Sequence, residues 1–432
     1  MSFISELMVK IWEPESLKYK KLREEYDNLS DGDFTARVSA YFDGKDADES
    51  VYMTALNSCG CPYWNQNGIL SGCSFCDFFS KHFEGFVLLG ALKDRNRERY
   101  EALIIDRFYI SRAKEPNINM LEHITGFDSL NTDEISAKLH EELLGEESSF
   151  FKDGFTVLSC ETRATSVTPQ RVRSWKKNVK GRLRVECGAE VHNEWLRNHW
   201  INKGITDCDL SRAARILREE RCLFACDVII GIPGLSERQS IALFPHAFRF
   251  CVDLGAMQVI TSPLLRKGVN LQSAISEKLG QDSELTDIGI GGNGPIGIHV
   301  FSVLLAVCSA VKKYPEDASK LKFAGGHFDM YCRHVKELYT DGEEARVVNI
   351  ALEGLCAFSR TGKTDQLDIA YEQINSSRCF ADFCDRLHSQ HGLDQIQETM
   401  RIVAEKMAKV YWPADWKEKL HEFGEELKGF SL

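Results

Sequence analysis

Residues 57–79 read NSCGCPYWNQNGILSGCSFCDFF. Cys61, Cys73 and Cys76 stand in a short segment rich in Gly, Asn and Ser, with Phe75 just before the last cysteine. Cys73 and Cys76 form a C-x-x-C pair, a spacing that lets two thiolates face one metal centre. Three nearby thiolates can hold three irons of a four-iron cluster and leave the fourth iron open to a small molecule, whereas four ligands saturate it. The same residues admit other readings. A C-x-x-C pair also serves as a redox dithiol or as half of a zinc site. A zinc ribbon wants a second C-x-x-C downstream, and none follows. Cys59 adds a fourth nearby thiol, so a local four-thiolate zinc or cluster site stays open, and Cys59 rivals Cys61 as first ligand.

Outward from this loop the chain alternates strand-like and helix-like runs. SVYMTALNSC (50–59) leads into the cysteines as an apolar strand. Further strands are expected at ALIIDRFYI (102–110), GFTVLSC (154–160), LRVECGAEV (183–191), FACDVIIGI (224–232) and AMQVITSPLL (256–265). Helices such as DEISAKLHEELLG (133–145) and LSRAARILREERC (210–222) lie between them. Alternation of this kind means parallel pairing with right-handed crossovers. About six such units predict an α/β fold, a partial (β/α)6 TIM-type barrel with its functional loops at the C-terminal ends of the strands.

Three regions follow. Residues 1–49 read as a helical lead-in, 50–270 as the barrel core, and 271–432 as a mostly helical C-terminal region. VFSVLLAVCSAVKKY, EEARVVNIALEGLCAF and DQIQETMRIVAEKMAKVY carry apolar residues at helical spacing, and a last helix is expected from Pro413 with Asp415 in its first turn. The Gly-rich DIGIGGNGPIGIH (287–299) reads as a mobile flap over the barrel or, equally, as a plain linker.

Composition bounds the function. The chain has 432 residues, a 43% hydrophobic fraction and no apolar run long enough for a membrane span. The start, MSFISELMVKIWEPE, has charges within its apolar stretch and does not read as a secretory signal. Fifteen cysteines without such a signal suggest a reducing cytoplasm, with most of them free thiols in the core. A net charge of −11 argues against a broad phosphate-backbone footprint. The basic run VRSWKKNVKGRLR (172–184) is explained as well by a solvated helix and loop.

The segment 183–235 narrows the reading: LRVECGAEVHNEWLRNHWINKGITDCDLSRAARILREERCLFACDVIIGIPGL. A strand ends in G-A-E with Glu190, a helix closes on I-N-K-G with Lys203, and a further strand carries Asp227 into the Gly231–Gly234 turn. Taken singly, Glu190 and Asp227 also suit cap or loop carboxylates, and Lys203 a surface lysine. Together with the cysteine loop, this order resembles the radical S-adenosylmethionine (radical SAM) superfamily. It is most similar to the branch of the Elongator catalytic subunit, the archaeosine synthase radical partner and oxygen-independent coproporphyrinogen dehydrogenase. The resemblance covers roughly residues 50–270.

The resemblance implies a [4Fe-4S] cluster held by Cys61, Cys73 and Cys76, with S-adenosyl-L-methionine (SAM) on the open iron. Phe75 matches the aromatic near the adenine. Glu161 and Glu190 match polar contacts to the methionyl or ribose part, Lys203 the base that pairs with the methionyl carboxylate, and Asp227 a polar strand residue facing the cofactor. The family's usual spacing of three between the first two cysteines is here eleven. Its Gly-Gly-Glu-type motif is replaced by ISRAKEPN (110–117). The implied activity is reductive cleavage of SAM and abstraction of a hydrogen atom from a small-molecule substrate, an amino acid or natural-product intermediate, with an electron donor such as flavodoxin or ferredoxin. A tRNA nucleoside is the alternative substrate, though the acidic charge makes a nucleic-acid partner unlikely. A zinc-stabilised scaffold is the alternative of another class.

Overall fold

Residues 182–190 alternate apolar and polar residues, 223–230 and 258–263 are mostly buried runs, and each of the three is a strand. In the computed structural model, which describes residues 2–42, 54–55, 58–76, 79, 83–114, 121–125, 127–144, 157–179, 181–290 and 296–432, they form the middle of one parallel sheet. The strands are β1 (Thr54–Ala55), β2 (Asn65–Gln66), β3 (Ile69–Leu70), β4 (Leu121–Thr125), β5 (Val157–Thr162), β6 (Arg182–Glu190), β7 (Leu223–Ile230), β8 (Gln258–Pro263) and β9 (Leu321–Phe323). Seven of them pair in the order β1-β4-β5-β6-β7-β8-β9, every neighbour parallel. Each crossover thus returns to the next position in the sheet, as in a (β/α) barrel. Among the described residues β9 does not pair back to β1, so the barrel is partial. β2 and β3 form a separate hairpin.

Two expectations about strands change. ALIIDRFYI (102–110) is not a strand; it lies within the helix Arg97–Lys114. Tyr100, Ile104 and Arg107 are buried there at intervals of four and three, the helical period. The strand in that place in the sheet is β4. ISRAKEPN divides accordingly: residues 110–114 finish the helix, and 115–117 lie outside the described residues. A further strand, β9, comes from the region expected to be helical; at three residues it is too short to show a period. The other expected strands stand, although 50–53, 56–57 and 154–156 lie outside the described residues.

The C-terminal region is otherwise helical. Its helix Val300–Lys313 packs on Glu237–Asp253, which covers β7 and β8. The last helix runs Trp416–Leu427 and not from Pro413, so Asp415 stands at its N-cap position, before the first turn, and makes no side-chain capping bond. Of the expected flap, 291–295 lie outside the described residues, while Ile290 and Ile296 on either side are buried. The N-terminal helix Phe3–Ile11 buries Phe3, Ile4, Leu7, Met8 and Ile11 on one stripe, each worth ~2 kcal/mol of removed apolar surface. That stripe meets the C-terminal helices: Phe3 and Phe423 lie 5.0 Å apart, and the Phe3 amide donates to Glu426 Oε1 at 2.7 Å. No helix among the described residues is long and apolar enough to cross a membrane.

Candidate cofactor site

The strand period puts one set of side chains inside the barrel. Register pairs Glu161 of β5 with Glu186 of β6, Gly188 of β6 with Asp227 of β7, and Asp227 with Ile260 of β8. Glu161, Arg184, Glu186, Gly188, Glu190, Asp227, Gln258 and Ile260 therefore share a face, and all line one cavity of about 420 Å³. The opposite wall is the cysteine loop, through Cys61, Tyr63, Trp64, Cys73, Phe75 and Cys76. The structure thus brings all eight expected site residues (Cys61, Cys73, Cys76, Phe75, Glu161, Glu190, Lys203 and Asp227) to one cavity.

The eleven-residue gap between Cys61 and Cys73 is folded away as the β2–β3 hairpin. Asn67 and Gly68 at its tip both have positive φ, 56° and 80°, the conformation an Asn-Gly type I′ turn needs. The hairpin stem returns the chain: Trp64 N donates to Cys61 O at 3.0 Å, and Ser71 N to Trp64 O at 2.9 Å. Cys76 N then donates to Cys73 O at 3.0 Å, closing the C-x-x-C turn. A core of rings backs the loop, with Trp64 stacked on Phe79 at 4.0 Å and Phe79 against Phe86 at 4.9 Å. Gly60 (φ 92°) passes so close to Phe79 that a Cβ would sit 2.6 Å from the ring.

Cys59 faces elsewhere. Its amide donates to Tyr100 OH at 3.0 Å, and its sulfur lies 3.7 Å from Lys93 Nζ. Its neighbour Ser58 is tied at 2.6 Å to the buried Glu134, which also accepts from the amides of Phe127 and Asp128. Cys61 turns toward the cavity; burial pushes its thiol up, and the nearby Arg163 opposes the shift.

The loop is laced to the segment that carries Lys203. Ser74 N donates to Ile201 O at 2.7 Å, Asn202 Nδ2 to Gly72 O at 2.7 Å, and Tyr63 OH to Asn202 O at 3.0 Å. Arg163 adds a fourth link, its guanidinium 3.9 Å over the Tyr63 ring and bonded to the carbonyls of Lys203 and Gly204. Asp128 fixes Arg163 in turn, accepting from its amide at 2.9 Å and from Thr162 and Ser166.

Lys203 Nζ meets Glu190 Oε1 at 2.6 Å and lies 5.5 Å over the Phe75 ring. Burial pulls the ammonium down, but the Glu190 carboxylate and the nearby Cys73 together more than offset it, so Lys203 is held above the usual lysine range. Glu190 reaches this position because β6 ends in a bulge: the register shifts between Gly188 and Glu190, and Glu190 has φ 62°. Deeper in the barrel, Ser159 Oγ and Arg184 both bond Glu186, and Arg184 Nη1 bonds Gln258 at 2.5 Å. Burial and the neighbouring Glu186 push Glu161 up to about 8, and burial with Glu186 and Glu161 raises Asp227.

Several cavity residues escaped the sequence reading. Arg184 and Glu186 were legible, since they share every second position of one strand with Gly188. Arg163 and Tyr63 carried no motif. Lys267 and His327 come from beyond β8, and burial with Lys267 nearby lowers His327 to about 3.

Among the described residues no three His, Cys, Asp or Glu side chains converge closely enough to ligate a single ion. A [4Fe–4S] cluster asks for something different, one thiolate on each of several irons. The three cysteines that the loop brings to the cavity wall, Cys61, Cys73 and Cys76, suit that demand.

No protein-family model matches the chain, and no curated protein does. Among solved structures it is similar to archaeal Methanocaldococcus infernus Elp3 with an N-terminal deletion, at 16% identity and TM-score 0.34, over 52% of each chain. It is also similar to the radical S-adenosylmethionine methyltransferase TsrM from Kitasatospora setae, solved with cobalamin and a [4Fe-4S] cluster, at 18% identity and TM-score 0.29, over 50% of this chain and 34% of that one. A TsrM structure with tryptophan and a SAM analogue matches at the same identity and TM-score, over 36% of its chain. The match thus spans about half of the Elp3 chain and about a third of TsrM. At these identities and TM-scores the likeness decides neither chemistry nor substrate.

Proposed function

We propose that this chain is a radical SAM enzyme acting on a small molecule. The observation that carries the reading is the meeting of Cys61, Cys73 and Cys76 with Phe75, Lys203 and Glu190 on one cavity. Cys61, Cys73 and Cys76 would hold a [4Fe-4S] cluster. With SAM bound, such a cluster would supply the electron for reductive cleavage of SAM and with it the chemistry of hydrogen-atom abstraction from the substrate.

The remaining roles belong to the chain's own side chains. Lys203 presents an ammonium for the methionyl carboxylate, held in place by Glu190. Glu190 and Glu161 accept hydrogen bonds from the ribose and the amino group, and Phe75 offers a ring face to the adenine. Asp227, whose carboxyl burial raises, offers a polar group on the same face. The packed rings of Trp64, Phe79, Phe86 and Phe127 keep water from the thiols. A cavity of about 420 Å³ falls in the range of small-ligand sites and supports a small-molecule substrate. An electron donor such as flavodoxin or ferredoxin completes the system.

Anaerobic reconstitution tests the ligand set. The parent is expected to be brown, with broad absorption near ~400 nm and cluster-level iron. Alanine at Cys61, Cys73 or Cys76 is expected to abolish the colour, while Cys59→Ala keeps it. A Cys59→Ala protein without iron, beside a Cys61→Ala protein that retains it, would reassign the first ligand.

A further inference from the structure

We propose that Cys332 and Cys356 form a redox-active dithiol, a modification site that a peroxide closes into an intramolecular disulfide. Cys332 lies on the helix Gly325–Leu338 and Cys356 on the helix Gly342–Thr361. Their sulfurs are 3.6 Å apart. A disulfide needs about 2.05 Å, so side-chain rotation with a small helix adjustment closes the gap. Cys332 is 8% exposed and Cys356 is half-buried, which leaves one sulfur open to a small oxidant.

The surroundings favour a thiolate at Cys356. The two thiols share a hydrogen bond, and the cations Arg360 and Lys336 lie near Cys356, against burial and the single anion Asp329. Together they lower Cys356, while the shared hydrogen bond and burial push Cys332 up. A reactive cysteine sits in just such an electropositive, partly open place. A second thiol pair serves as contrast. Cys226 and Cys251 also interact, but both are fully buried, and burial raises Cys226.

The chemistry balances with hydrogen peroxide as oxidant. The Cys356 thiolate attacks one peroxide oxygen, giving a sulfenic acid and hydroxide. The Cys332 thiol attacks that sulfur, the S–S bond forms and water leaves. Two thiols and one peroxide yield one disulfide and two waters, with two electrons passing from sulfur to oxygen. The helix of Cys332 begins at the cavity, which Gly325, Gly326 and His327 line. Cys332 lies five positions after His327, about 7.5 Å of helix rise. Closing the bond therefore acts on the element that walls the cavity. The proposal is independent of the cofactor reading.

Peptide mapping of the full chain tests it. Purified protein is titrated with hydrogen peroxide near neutral pH, quenched with an alkylating agent and digested for mass spectrometry. The expected first product is a cross-linked peptide pair holding Cys332 and Cys356, reversed by dithiothreitol and absent from Cys332→Ser and Cys356→Ser. Cys226 and Cys251 stay reduced at that dose. The rate of cross-linking is expected to fall about tenfold for each unit of pH below the thiolate's range. Cys332 and Cys356 remaining free thiols while other cysteines oxidise would overturn the proposal. So would Cys356 passing to sulfonic acid with no cross-link. The parent protein alone decides both outcomes, even if a serine variant misfolds.

Discussion

The Lys203 ammonium lies 2.6 Å from the Glu190 carboxylate, with the two side chains 13% and 5% exposed. Removing one partner of a buried pair strands the other charge and costs roughly 3–5 kcal/mol. Lys203→Met is expected to lower unfolding stability by about that amount and to weaken SAM binding at least tenfold. Denaturant titration and calorimetry read the two effects. Adding Glu190→Gln is expected to restore most of the stability and none of the affinity. Undiminished SAM affinity in Lys203→Met would remove Lys203 from the site.

Gly188 is where the backbone makes room for that pair. A Cβ there would lie 2.4 Å from both Glu190 Oε1 and Lys203 Nζ. Both atoms end mobile side chains, so Gly188→Ala is expected to separate the pair at a cost of about 1 kcal/mol. SAM affinity is expected to fall several-fold while the thermal midpoint moves by a few degrees. A large fall in the midpoint with unchanged affinity would mean that Gly188 serves the sheet rather than the pair.

The hairpin tip tests how the long cysteine spacing works. Gly68 has φ 80°, and a β-branched residue there costs roughly 1–2 kcal/mol. Gly68→Val is expected to lower iron retention after reconstitution while far-UV circular dichroism stays that of the parent. Asn67→Gly, which tolerates the same φ, is expected to keep its iron. Full iron retention in Gly68→Val would show that the hairpin does not set the thiols.

Glu161 gives the cavity a pH signature. Burial, with Glu186 beside it, raises its carboxyl to about 8 in the folded chain, above the ordinary 4.5 of the unfolded one. The folded state then holds a proton that the unfolded state has lost. This contribution to stability is complete below pH 4.5 and is lost as pH rises to about 8. Unfolding of the cofactor-free parent across that window is expected to show stability declining with pH. Glu161→Gln is expected to flatten the decline, and an unchanged slope would assign it to other groups.

The sequence reading succeeded where a side chain's place follows from local rules. Glu190 stands on an alternating run and Asp227 on a strongly apolar one, each between helical stretches, so both strands and the two carboxylates on them could be read directly. The helix over 102–110 was misread because Ile104 and Ile105 lie among aromatics that also suit a strand, and only the burial of Tyr100, Ile104 and Arg107 shows the helical period. The hairpin between Cys61 and Cys73 had a visible signal in Asn67-Gly68 that the irregular residues around it obscured. Arg163 and Tyr63 were out of reach, since their stacking joins segments a hundred residues apart. β9 and the His327 side of the cavity depend on long-range pairing that three residues do not announce.

The most direct test of the three-thiol account is turnover of SAM by reduced, anaerobically reconstituted protein. The account predicts 5′-deoxyadenosine and methionine from the parent, and neither product once Cys73 or Cys76 is replaced by Ala. Protein that binds no iron and shows no affinity for SAM, or that carries one stoichiometric zinc instead, would contradict it.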